Sequence, residues 1–233
     1  MYKKKITVKR VSFNMIHVTG GTFMMGALPN DANANDDEKP AHAVTLSNFF
    51  IGETEVTQEL WETVMDFNPS DFTNQDQLPV ECVSWNFCQE FIRKLNLLTG
   101  MRFRLPTEAE WEFAARGGNE SLGYKYSGSN EIGDVAWYDG NSNSTTHPVK
   151  QKQANELGIY DMCGNVSEWC SDRYGDYSSS SQTDPTGSSF GTGRINRGGS
   201  WIDLSNDCRS SSRSVNSRDR WFNNVGLRLA LSE

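Results

Sequence analysis

The residues from which soft-metal or nucleophilic chemistry would have to be built are five cysteines, Cys82, Cys88, Cys163, Cys170 and Cys208, and three histidines, His17, His42 and His147. The cysteines are odd in number, include no CxxC pair and have no regular spacing, so a disulfide framework is not expected. The histidines are dispersed, without the HxxxH or HExxH spacing that sets two imidazoles on one helix face. The cysteines are therefore expected to be small buried apolar residues in a reducing compartment. His147, which precedes Pro148, reads as a loop hydrogen-bonding residue.

A second group of residues suits contact rather than reaction. Between Ile202 and Val225 the chain is made of short polar side chains punctuated by arginine and aromatic residues, the combination that adaptable binding surfaces use. Trp201, Asp203, Ser205, Asn206, Asp207, Asn216, Arg218, Arg220, Trp221, Phe222 and Asn223 are the candidate ligand-binding residues. Their side chains are expected to be largely exposed, with most single substitutions between residues 202 and 224 costing less than about 0.5 kcal/mol.

The elements that must hold such a surface are partly legible. Thr57 caps a helix to Met65 with Leu60, Trp61, Val64 and Met65 on one face, and Ser84 caps a helix to Leu98 that exits at Gly100. Thr107 and Glu110 form a capping box for a third helix, Thr107 to Ala115, packed through Trp111, Ala114 and Ala115. Strands are expected at Ala43 to Leu46, Phe49 to Ile51 and Arg102 to Leu105. From Gly118 onward the chain reads as mostly irregular loop anchored by Trp137, Tyr160, Trp169, Trp201, Trp221 and Phe222.

No linker divides the 233 residues, and a chain of this length buries about 70% of its unfolded surface in one core. Residues 1–16 are expected to form an N-terminal arm or edge strand, because Lys3, Lys4 and Lys5 run into the alternating Ile6 and Val8. Residues 17–233 are then a single domain. The net charge of −8 makes nucleic acid a poor partner. No apolar run approaches the ~18 residues of a membrane span, so direct membrane insertion is not expected. Met1 is not followed by a hydrophobic signal core, which gives a cytoplasmic start, with display on a cell surface or a phage left open.

The order of landmarks along the chain is more specific than any one of them. They run Gly20-Gly-Thr-Phe-Met-Met-Gly26, Asp36-Asp-Glu-Lys-Pro40, Glu55-Val-Thr-Gln58, Pro79-Val-Glu-Cys-Val-Ser-Trp85, Arg104-Leu-Pro-Thr-Glu-Ala-Glu-Trp111, Gly164-Asn-Val-Ser-Glu-Trp169, Arg197-Gly-Gly-Ser-Trp201 and Gly226-Leu-Arg228. From His17 to Leu231 this series resembles the formylglycine-generating-enzyme (sulfatase-modifying factor) family. The resemblance implies an α+β, C-type-lectin-like fold of that family's type, loop-rich, with short antiparallel strands and a few helices.

Oxidases of that family convert a substrate cysteine to formylglycine with O2 and copper held by two cysteines. Counted from Gly198-Gly-Ser-Trp201, those positions fall on Asp203 and Cys208. A carboxylate is a hard ligand that suits Cu(I) poorly, so copper is not expected and oxidase activity is disfavoured. The resemblance also implies calcium on Asp161, Gly164, Val166 and Glu168, two carboxylates and two carbonyls of the right ligand type. The alternative for that stretch is a tight loop closed by ordinary hydrogen bonds.

A second resemblance is to the variable proteins of diversity-generating retroelements, which place an adenine-mutagenised repeat at this end of the same fold. Mutagenesis of an Asn codon at its adenines does not reach Lys, Glu, Gln or Met, and none of these occurs from Gly198 through Ser232. The first reading is accordingly a non-catalytic protein that binds a protein or glycan ligand through its C-terminal surface. The second is a formylglycine-generating or related modifying oxidoreductase with altered chemistry, and the third an accessory domain that binds a fixed protein partner.

Overall fold

The computed structural model describes residues 2–27, 31–75 and 77–232. Strands β1 (Lys3–Val8) and β2 (Val11–Val18) form a hairpin, followed by β3 (Gly21–Met25), β4 (His42–Leu46) and β5 (Phe49–Gly52). Helices α1 (Gln58–Met65) and α2 (Trp85–Thr99), the two-residue β6 (Phe103–Arg104), α3 (Glu108–Ala115) and the single-turn α4 (Ile132–Val135) come next. The remainder carries β7 (Ser167–Arg173), β8 (Gln182–Thr183), β9 (Gly193–Arg197), β10 (Arg213–Ser217), β11 (Val225–Leu227) and β12 (Ala230–Ser232).

Each long helix starts where its cap places it. Thr57 Oγ accepts from Leu60 N at 3.3 Å and Ser84 Oγ from Phe87 N at 3.2 Å. Thr107 Oγ accepts from Glu110 N at 3.1 Å while the Glu110 carboxylate accepts from Thr107 N at 2.8 Å, closing the capping box. Gly100 ends α2 in the left-handed conformation, which it adopts without a Cβ penalty.

The strands make three sheets, ordered β1-β2-β5-β12-β6, β10-β9-β7-β11 and β3-β4-β8. The pairings are antiparallel except β11 with β7 and β4 with β8, which are parallel, a departure from the expected antiparallel set. Both parallel pairs join strands far apart in the chain, where no tight hairpin imposes direction. A boundary after residue 16 falls inside β2, which pairs with β5, and Ile6, Val8, Val11 and Met15 belong to the core around α1 and α2. Residues 1 and 233, the ends of that expected division, lie outside the described residues.

The C-terminal half is richer in strand than its composition suggests. In β7, β9 and β11 the strands are buried on both faces, so the apolar-polar alternation that marks a half-exposed strand is missing. Their surroundings are closed by buried arginines. Arg197 pairs with Glu112 and lies 3.6 Å from Glu108; Arg213 pairs with Glu108 at 2.7 Å, Arg209 with Glu38 at 2.6 Å and Arg228 with Glu168 at 2.6 Å. These four guanidiniums tie the C-terminal segments to α3, to the turn at Asp36–Glu38 and to β7.

Candidate ligand-binding surface

The segment after β9 begins with Gly198 and Gly199, both at positive φ. A Cβ on Gly199 would lie 2.7 Å from Cys208 Sγ, so the chain turns here only because no side chain is present. The turn delivers Trp201 inward, contrary to expectation. It is buried, meets Phe72 edge to face at 5.2 Å, and donates from Nε1 to Asn223 O at 3.0 Å. Ile202 and Leu204 are exposed, Asp203, Ser205 and Asn206 are half-buried, and Asp207 is exposed. Asn206 also donates to Asn33 O at 3.2 Å.

Residues Cys208 to Arg213 then dive into the protein, and the expectation that substitutions throughout residues 202–224 are cheap fails there. Arg209 and Arg213 are the ion-pair partners of Glu38 and Glu108, and truncating either would strand a buried carboxylate. The segment thus comprises two exposed strips separated by a buried span. The strips adjoin, since Asn224 Nδ2 donates to Ser200 Oγ at 3.1 Å beside the Trp201–Asn223 bond.

The second strip is β10 and the loop behind it. β10 is the edge strand of its sheet, and Ser214, Val215 and Ser217 are exposed on it. Asn216 is half-buried and donates to Asn196 Oδ1 at 3.1 Å. In the loop, Arg218, Asp219, Arg220, Trp221 and Phe222 are exposed, Trp221 by 61% and Phe222 by 38%, with Asn223 half-buried.

What holds this loop is its main chain. Arg218 O accepts from Asn86 N at 3.2 Å, Phe222 O from Cys82 N at 3.0 Å, Asn223 O from Trp201 Nε1 and Asn224 O from Ser167 N at 2.9 Å. Four carbonyls are tied to three separate parts of the scaffold. Side-chain ties are fewer: Asp219 accepts from Asn86 and stands 3.8 Å from Arg218 in an exposed ion pair of little worth. Sequence reasoning missed Ile202, Leu204, Ser214, Val215, Ser217 and Asp219 on this surface. The signal for Val215 was available, since apolar residues on an edge strand with polar neighbours face out as readily as in.

Of the positions matched to a copper pair, Cys208 is buried and Asp203 half-buried. Cys208 is buried in a small apolar cluster with Cys163, Tyr126, Val135 and Ala136, and burial pushes its thiol well up, away from the thiolate that binds metals. Asp203 is raised by burial despite the hydroxyl that Ser200 donates to it.

In the expected calcium set of Asp161, Gly164, Val166 and Glu168, the two carboxylates already carry hydrogen bonds from the protein. Both Glu168 oxygens accept from Arg228, one also taking the Trp111 Nε1 hydrogen at 2.6 Å, and Asp161 Oδ2 accepts from Lys150 N at 2.8 Å. Arg228 supplies the cation beside Glu168. Burial raises Asp161 to about 6, and burial followed by the charges of Asp161 and Glu168 raises Glu55.

Residues 4–233 match the sulfatase-modifying factor enzyme 1-like domain. The chain is 33% identical to the chaperone protein LppX of Paenibacillus barcinonensis over 86% of this chain and 83% of that protein. It is 29% identical to a formylglycine-generating enzyme of Streptomyces coelicolor over 95% and 90%. Treponema denticola variable protein 1 superposes on it with a TM-score of 0.91 at 34% identity, across the whole of both chains.

Proposed function

The chain belongs to the sulfatase-modifying factor enzyme 1-like family and has the α+β, C-type-lectin-like fold expected of it, and from that premise we propose that it is a non-catalytic ligand-binding protein. Its binding surface is residues 202–207 with residues 214–223, and its ligand is a protein or glycan. The observation that carries this reading is the loop at residues 218–224, whose conformation is held by main-chain carbonyls while its side chains from Arg218 to Phe222 face solvent. Such a loop can change side chains without changing shape. Trp221, Phe222, Arg218 and Arg220 supply the aromatic and guanidinium anchors from which protein-binding hot spots are made.

Likeness over its full length to a protein named as variable supports the finer reading that the surface is diversified by a retroelement. Sequencing this locus from many independent isolates tests it. Substitutions are expected to fall on the exposed positions, with Trp201 and Cys208 to Arg213 held constant. An even spread of substitutions across the chain would contradict diversification. For the formylglycine reading, incubation with copper, O2, reductant and a sulfatase-type Cys peptide is expected to give no aldehyde. Turnover that disappears in Cys208→Ser would overturn the non-catalytic assignment.

A further inference from the structure

The loop between α1 and α2 brings three side chains of different chemistry to one point. Asp71, Glu81 and Cys82 offer two carboxylate oxygens and a sulfur that all lie within 4.8 Å of one another. Among the described residues no other group of three His, Cys, Asp or Glu side chains converges so closely.

Glu81 is fully buried. It accepts from Phe72 N at 2.9 Å through Oε1, but its Oε2 has no hydrogen-bond partner. A carboxylate oxygen out of contact with water and without a donor is costly, and native proteins seldom keep one without a reason. The Cys82 thiol beside it is at best a weak donor, a poor substitute for the N–H or cation that a buried carboxylate oxygen ordinarily has. Cys82 is also held at φ 59°, with its N–H bonded to Phe222 O, which fixes its backbone beside the acids.

We propose that Asp71, Glu81 and Cys82 form a three-ligand site for a zinc-class divalent ion, with a fourth position open to solvent on the side of the exposed Asp71. One sulfur with two oxygens is a borderline donor set. It has too much sulfur for calcium or magnesium and too much oxygen for Cu(I), and it matches zinc or its cobalt surrogate. Bonds of about 2.0–2.3 Å require ligand atoms about 3.5 Å apart, a contraction that the exposed Asp71 side chain can supply. On binding, the thiol proton passes to solvent and the ion takes the thiolate, while Glu81 Oε2 gains the partner it lacks. The inference does not rest on the reading of the display loop, although Cys82 touches that loop.

The test is a Co2+ titration of reduced, tag-free protein. One equivalent is expected to bind with a thiolate-to-cobalt charge-transfer band that zinc displaces. Asp71→Asn, at an exposed position, is expected to weaken cobalt binding at least tenfold, and Cys82→Ser to abolish the band. X-ray absorption of the zinc-loaded wild type, which needs no variant to fold, is expected to show one sulfur with two or three oxygens. A saturated protein without the band, an unaltered affinity in Asp71→Asn, or a zinc shell without sulfur would each overturn the site.

Discussion

Arg220 and Phe222 sit on a loop whose shape their side chains do not maintain, so their substitution separates recognition from folding. Arg220→Ala or Phe222→Ala is expected to lower ligand affinity by about 1 kcal/mol or more while leaving the melting temperature nearly unchanged, read by calorimetric titration alongside thermal unfolding. Arg209 behaves oppositely. Its guanidinium is 2.6 Å from Glu38 in a buried pair, and Arg209→Ala is expected to cost about 3–5 kcal/mol of stability in denaturant unfolding, because the carboxylate is left behind uncompensated. Glu53 provides a pH test. Burial pushes its carboxyl up, but hydrogen bonds from Lys3, Asn14 and Lys150 outweigh burial and bring it down to about 2 from 4.5. A depressed acid contributes stability above its unfolded pKa and loses it as pH falls through the folded value. Wild type is therefore expected to exceed Glu53→Gln by about 1–2 kcal/mol near neutrality, the half-exposed lysines being screened by solvent, and the difference is expected to vanish between pH 4.5 and 2.

At the scale of elements, the three long helices were legible because each carries its own N-cap, as Thr107 and Glu110 show in closing their box. The strands of the C-terminal half were not, because β9 is buried toward both neighbours and its Asn196 and Arg197 find partners only in the folded protein. The same holds for the site. Trp201 looks like a surface anchor in sequence, and only its indole bond to Asn223 O and its contact with Phe72 reveal a buried post that supports the surface. Arg209 and Arg213 look like members of a loose polar run. Their partners, Glu38 and Glu108, lie far away in the chain, beyond the reach of any local pattern. At the turn entering this region, Gly199→Ala places a Cβ against Cys208 Sγ at positive φ. It is expected to lower stability by about 1–3 kcal/mol in equilibrium unfolding, more than any single change in the exposed strips.

For the molecule as a whole, the proposed function places stability and recognition in different parts of one C-terminal segment. The buried arginines Arg197, Arg209, Arg213 and Arg228 bind that segment to α3, to the Asp36–Glu38 turn and to β7, and between them the chain emerges twice. No helix among the described residues is long and apolar enough to cross a membrane. The division predicts a particular pattern of tolerance, and the most direct test is a substitution scan of residues 201–224 in which each variant's melting temperature is measured. Most changes at residues 214–222 are expected to stay within about 0.5 kcal/mol of wild type, whereas changes at Trp201 and Cys208 to Arg213 are expected to be several times more costly. Equal destabilisation across both groups would contradict the account, because the loop's side chains would then be part of the core and not a surface held up by its backbone.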